Sequence, residues 1–370
     1  EVMTLFLAVM VTDVIVLDVF NTLGMPTSTT VSLVFELLGG AFILATLKMY
    51  GDDSLNYGVL LNSNKALEVI MGIFSSVIIA FVFGALVMWL SRIVFTFNYR
   101  KHSRYSIAIF GGIAFTALSY FIFMKGLGKS PYLPAEWRDY IDQNLGLLLC
   151  ITFVGSAIVM EFLHLCRINI FKFTVLMGTF ALAMAFAGND LVNFIGVPLA
   201  GLSSYQDYMA NANGATPDQF MMTSLMDSAK TTPVYLLAAG AVRIIAMATS
   251  KKAQNVIKTS VDLSRQDEGD EMFGSSSAAR VIVRNCQATD SWLKQFMPKA
   301  LMNWINSRFD KNDVELEESA AFDVVRAAVN LVLASMLITI GTNLKLPLST
   351  TYVTFMVAMG SSLADRAWSR

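Results

Sequence analysis

The length of its apolar runs is what most limits how this chain can fold. A bilayer crossing needs about 20 mostly apolar residues. Runs on that scale recur at about 66–97, 105–124, 144–165, 170–200, 232–250 and 320–343. Two shorter runs, about 27–49 and 348–364, each begin at a Pro-x-Ser-Thr-Thr segment. Hydrophobic residues make up 55% of the 370 and charged residues only 15%, against about 25% charged in a soluble domain. The expected class is therefore an all-α polytopic membrane protein, with the lipid bilayer as its main surrounding. A formal net charge of −1 points to neither nucleic-acid binding nor an acidic tail. Cys150 and Cys166 lie in apolar runs and Cys286 in a polar loop, which makes neither a disulfide framework nor a metal quartet.

The first run, Leu5 to Leu17, has no basic flank and no small-residue cleavage site, so it does not read as a signal peptide. Both ends look cut, and the chain is expected to be an internal piece of a longer protein. Polar connections fall at 50–65, 98–104, 125–143, 201–231 and 251–319. The last is charged and partly Ser-rich and reads as a solvated linker or small helical insertion. Arg100, Lys101 and Arg104 crowd one short loop, which the positive-inside rule places in the cytoplasm. Alternation then puts 125–143 and 201–231 outside, and 251–319 inside. Four sections follow: 1–124, with a hairpin at 1–49; 125–250; the cytoplasmic insertion 251–319; and 320–370, with a second hairpin.

Comparing the chain with itself exposes a repeat. Residues 21–30 read Asn-Thr-Leu-Gly-Met-Pro-Thr-Ser-Thr-Thr, and residues 342–351 read Thr-Asn-Leu-Lys-Leu-Pro-Leu-Ser-Thr-Thr. A proline inside an apolar stretch breaks the preceding turn and suits the first turn of a new helix. Each segment therefore predicts two helical arms meeting at Pro26 or Pro347. Such breaks are tolerated at membrane depth only where protein buries them or where they line a wet cavity. A new helix start offers unpaired N–H groups to an anion, and Ser28, Thr29, Thr30, Ser349, Thr350 and Thr351 add hydroxyl donors. The competing reading is that Ser-Thr-Thr only caps two helices. Under the charge-based orientation the two hairpins enter from opposite faces, as inverted repeats of a transporter would.

A third element, Ala187-Gly188-Asn189-Asp190-Leu191-Val192-Asn193-Phe194-Ile195-Gly196, lies within the run 170–200. A carboxylate at membrane depth is a functional-site hypothesis by default. Gly188 permits a break, and Asn189, Asp190 and Asn193 present oxygen ligands of the kind that hard cations bind. A proton on Asp190 is the alternative.

Gly-Asn-Asp-x-x-Asn-x-Ile-Gly together with two Pro-x-Ser-Thr-Thr blocks resembles the inorganic phosphate transporter (PiT) family. The resemblance implies two inverted repeats with re-entrant helical hairpins and broken helices, and alternating-access symport of inorganic phosphate with Na+ or H+. Ser28, Thr29, Thr30, Ser349, Thr350 and Thr351 would hold phosphate. Asn189, Asp190, Asn193, Asp18, Asn21 and Thr342 would hold the coupling cation, with Asp190 and Asn193 as the Na+ candidates. No cofactor beyond the coupling ion is implied. A bacterial inner membrane is the expected location, and a homodimer is compatible with the reading. Many members have His after the Ser-x-Thr, where this chain has Val31 and Tyr352. The family's first Gly-x-Asn-Asp motif does not occur here and would lie upstream of Glu1.

Asp18 is expected at the site, while Asp13 is left between a site role and a polar helix interface. Lys345 reads as snorkelling to an interface or adding charge to the anion path. Glu161 and His164 can share a helix face, and Arg243 and Arg326 read as interfacial. Another oxyanion such as sulfate is the alternative substrate. An intramembrane enzyme is the more distant rival, because His102 and His164 are the only histidines and neither is near the motifs.

Overall fold

The structure is a computed structural model that describes residues 2–51, 54–97, 104–121, 134–217, 219–222, 232–252, 254, 280–281, 284–285, 298–309, 323–344, 346 and 348–367. The expectations placed on Arg100, Lys101, Cys286, Lys345, Pro347 and most of 251–319 lie outside the described residues. Where the sequence predicts spans, helices are found: α1 (Val2–Thr22), α2 (Thr29–Gly51), α4 (Ser63–Phe95), α5 (Arg104–Ser119), α7 (Leu145–Leu165), α8 (Ile170–Asn211), α9 (Pro233–Thr249), α11 (Val324–Asn343) and α12 (Thr350–Ala364). Shorter helices α3 (Tyr57–Leu60), α6 (Ala135–Gln143) and α10 (Lys299–Arg308) lie in the connections. Among the described residues 6 helices are long and apolar enough to cross a membrane. Leu7, Val14, Leu47, Leu237 and Ile244 of α1, α2 and α9 stand exposed, the outward apolar surface that lipid would cover.

Both expected arm pairs form. In the first, Gly24 ends α1 at φ 67, a conformation that glycine adopts without strain. The Met25 N–H then reaches back to the Phe20 carbonyl at 3.0 Å, as in a Schellman helix end. Ser28 starts α2 by accepting from the Val31 N–H at 3.2 Å. In the second, the Leu346 N–H reaches the Gly341 carbonyl at 2.9 Å, and Ser349 caps α12 by accepting from the Tyr352 N–H at 3.0 Å. With Pro26 aligned on Pro347, all four pairs of positions correspond. Val31 and Tyr352 thus serve the turn through their backbone.

One expected break does not form. Helix α8 runs unbroken through Gly188 for 42 residues, about 63 Å at 1.5 Å per residue. Its polar residues bond sideways to the hairpins, so the backbone there need not open. Pro198 is the irregularity it does carry; having no N–H, it leaves the Phe194 carbonyl without its helical donor.

The second hairpin is the better buried. Helix α12 lies against α4 so closely that a Cβ on Gly84 would fall 2.5 Å from the Val357 carbonyl oxygen, and one on Gly360 would meet the Phe81 carbonyl. One core packs Phe95, Phe171, Met88, Met160 and Val325 from α4, α7, α8 and α11, and a second packs Ala80, Leu333, Ile338, Val353 and Val357. Small residues let α5 and α7 pack closely: a Cβ on Gly112 would fall 3.1 Å from the Ala157 Cβ, and Ser156 donates to the Gly112 carbonyl at 3.2 Å.

A buried ion network ties the open end of this hairpin to α4. The Arg92 guanidinium, 0% exposed, grips Asp365 through Nε at 2.8 Å and Nη2 at 2.5 Å. Its Nη2 also reaches Asp323 at 3.1 Å, and Nη1 reaches the Thr96 carbonyl at 2.9 Å. Asp323 caps α11 through the Arg326 N–H at 2.8 Å, and the Arg326 guanidinium lies 3.9 Å from Asp365. Arg326, read from sequence as interfacial, is therefore fully buried among charges. Removing one partner of such a network strands a charge at a cost of about 3–5 kcal/mol. Arg92→Ala should lose that much stability in denaturant unfolding of the detergent-solubilised protein; a loss under about 1 kcal/mol, as for surface pairs, would contradict the network's role.

Candidate functional site

Two facts of helix geometry assemble the site. Asn189 and Asn193 are four residues apart and share one face of α8, whereas Asp190 is turned about 100° from Asn189. The asparagines meet the first hairpin: Asn193 Nδ2 donates to Thr30 Oγ1 at 2.6 Å, with Asn189 Nδ2 at 3.5 Å from the same oxygen. The aspartate meets the second: Thr350 Oγ1 lies 2.8 and 3.0 Å from the two carboxylate oxygens. Asn189 Nδ2 also donates to Asp190 Oδ1 at 3.2 Å, so a continuous chain of polar contacts runs from one hairpin tip to the other. Asp190, Thr30, Thr350, Ser28 and Ser349 are all buried. Each asparagine donates through its nitrogen and keeps its amide oxygen as an acceptor.

The hairpins approach this turn from opposite ends of α8. Gly201, toward its C-terminal end, lies against Phe6 of α1, and Gly178, toward its N-terminal end, lies against Leu331 of α11. From those contacts the two arms run toward each other, and their tips meet α8 between Asn189 and Asn193.

The predicted residues divide accordingly. Thr30 and Thr350 touch the motif, whereas Ser28 and Ser349 cap helices through their oxygens and retain a hydroxyl proton. The capping reading is thus right for the serines and insufficient for the threonines. Thr29 and Thr351 are half-buried beside them. The other three expected cation ligands make no hydrogen bond to the motif among the described residues. Asp18 is exposed and ion-paired with Lys252 at 2.6 Å; Thr342 donates back to the Ile338 carbonyl at 2.8 Å; Asn21 is half-buried near the end of α1. Glu161 and His164 belong to α7, which packs mainly on α5.

Sequence reasoning misplaced one residue here. Arg243 of α9 holds its guanidinium 5.5 Å from the centroid of the Phe194 ring, and Phe194 follows Asp190 by one helical turn of α8. Its Nη1 is buried without a hydrogen-bond partner. An arginine in the middle of a run marked by no motif gives no sign in the sequence of which helix it faces.

These features define an α-helical integral membrane protein with a polar centre shared by two helical hairpins and one long helix. The model of the phosphate transporter family matches residues 1–260, and the chain belongs to that family. It is therefore a transporter-family protein with phosphate as its substrate. The matched part contains the first hairpin, the Asn-Asp motif and Arg243; the second hairpin joins the site through Thr350. No curated protein and no solved structure matches the chain significantly.

A hydroxyl bonded to a carboxylate is worth about 1.5–3 kcal/mol. Thr350→Val, which keeps the shape and removes the donor, should destabilise the protein by that amount in detergent unfolding, and Thr350→Ser should recover most of it. Equal stabilities for the two variants would mean that the Thr350–Asp190 bond contributes nothing.

Proposed function

We propose that the chain forms the working centre of a cation-coupled symporter for inorganic phosphate, with a single site opened alternately to the two sides of the membrane. The observation that carries this reading is the convergence of both Ser-Thr-Thr tips on one turn of α8. Phosphate would sit between the tips, where the first turns of α2 and α12 offer backbone N–H groups and the positive ends of their dipoles. Thr29, Thr30, Thr350 and Thr351 and the hydroxyl protons of Ser28 and Ser349 would supply further donors. Asp190 and the amide oxygens of Asn189 and Asn193 would hold Na+, or Asp190 would take a proton.

Charge explains why the fluxes are linked. Phosphate carries one or two negative charges near neutral pH, and removing its water inside a membrane is costly. Arg243 supplies one positive charge close by, and Asp190 offsets it. A bound cation neutralises Asp190, so each ligand raises the affinity for the other. The opposite approach of the two hairpins, and their matching helix ends, support an inverted-repeat arrangement in which one hairpin yields while the other stays closed.

Phosphate uptake into liposomes by the full-length protein, with Na+ and pH varied independently, tests this reading. Uptake should follow at least one of the two gradients, and Asp190→Asn should abolish that dependence. Ser349→Ala should raise the half-saturating phosphate concentration about three- to tenfold, the worth of one hydrogen bond. Uptake that is unchanged when both gradients are collapsed would contradict symport, and equal competition by sulfate would contradict the substrate assignment.

A further inference from the structure

A second polar cluster lies inside the first hairpin and takes no part in the site above. Asp13 of α1 is 4% exposed, and its Oδ1 is buried with no hydrogen-bond partner. Ser32 of α2 donates to Glu36 Oε1 at 2.7 Å, and the register of α1 against α2, set where Leu5 packs on Gly40, brings Asp13 level with this pair. A serine has one hydroxyl proton, so it serves one of the two carboxylates at a time. Glu36 Oε2 is also buried without a partner, and Asp13 is close enough to act on Glu36 electrostatically. Among the described residues no basic side chain pairs with either carboxylate.

Two carboxylates facing each other in an apolar interface need a positive charge between them. A single shared proton would satisfy one orphan oxygen; a hard metal ion takes several oxygens together. Three side chains are too few for Ca2+, which takes about 6–8 oxygens. We propose that Asp13, Ser32 and Glu36 form a binding site for a largely dehydrated monovalent cation, with Na+ as the ion. Glu36 lies six residues beyond Thr30 on α2, about 9 Å along the axis. The site thus stands between the polar centre and the open end of the first hairpin, where a cation would pass to or from Asp190. That role in transport rests on the proposed symport; the binding site itself does not.

The test is 22Na+ binding to the purified full-length protein in phosphate-free detergent solution, with monodisperse elution checked for each variant. In an Asp190→Asn background, which removes the motif carboxylate, saturable 22Na+ binding should remain. Adding Asp13→Asn should raise the half-saturating Na+ concentration at least about tenfold, the scale on which lost ligand support weakens metal sites. Glu36→Gln, a change at a less buried position, should do the same if Asp13→Asn fails to fold. Binding within twofold of the background in the folded variants overturns the proposal, whatever phosphate uptake shows. Loss of binding in a protein whose uptake ignores Na+ upholds the site and contradicts only its place in coupling.

Discussion

A carboxylate in the middle of a membrane-length helix cannot be left to the bilayer, and the architecture around Asp190 follows from that constraint. The charge needs donors, and the nearest available are the hydroxyl of Thr350 and the amide of Asn189. Bringing Thr350 there requires a helix that begins at this depth, which in turn requires a break in the apolar run ahead of it. The asparagines on the adjacent face place the same demand on the first hairpin, which answers with Thr30. Helix α8 stays unbroken at Gly188 because its neighbours, rather than its own backbone, change course.

The first hairpin contacts α8 at its tip but is otherwise sparsely buried, with only Val9 and Asp13 of α1 and Thr30 and Ala45 of α2 shut off from the surface. The second is embedded: eleven residues of α11 are buried, α12 presses its backbone on α4, and the Arg92–Asp365–Asp323 network closes its open end. A buried pair of this kind adds little net stability over an apolar substitute, but it fixes where the hairpin begins and ends. The two arm pairs share local turn chemistry and differ in how firmly they are held.

Most of the helices were legible because apolar run length is a strong signal. The hairpin turns were legible from Pro26 and Pro347; the helix end at Gly24 was not, and capping by the two serines was only the competing reading. The joining of both tips to the Asn-Asp motif was legible only as a consequence of the family resemblance. What the sequence could not convey is which face each polar side chain presents to a distant element. Asp18 looked like a ligand and turned out to pair with Lys252; Arg243 and Arg326 looked interfacial, yet one sits by Asp190 and the other among buried charges. Gly188 suggested a break because glycine permits one, but permission is not a force, and the lateral hydrogen bonds of Asn189 and Asp190 removed any need for it.

The central claim is that the two hairpins reach one turn of α8 from opposite sides of the membrane. Single cysteines at Lys48, near the open end of the first hairpin, and at Arg366, at the open end of the second, provide the most direct measurement. They would be introduced after replacing Cys150, Cys166 and Cys286, and labelled with a membrane-impermeant maleimide in vesicles of known orientation. The account predicts that Lys48→Cys reacts from one face and Arg366→Cys only from the other. Labelling of both from the same face would contradict it.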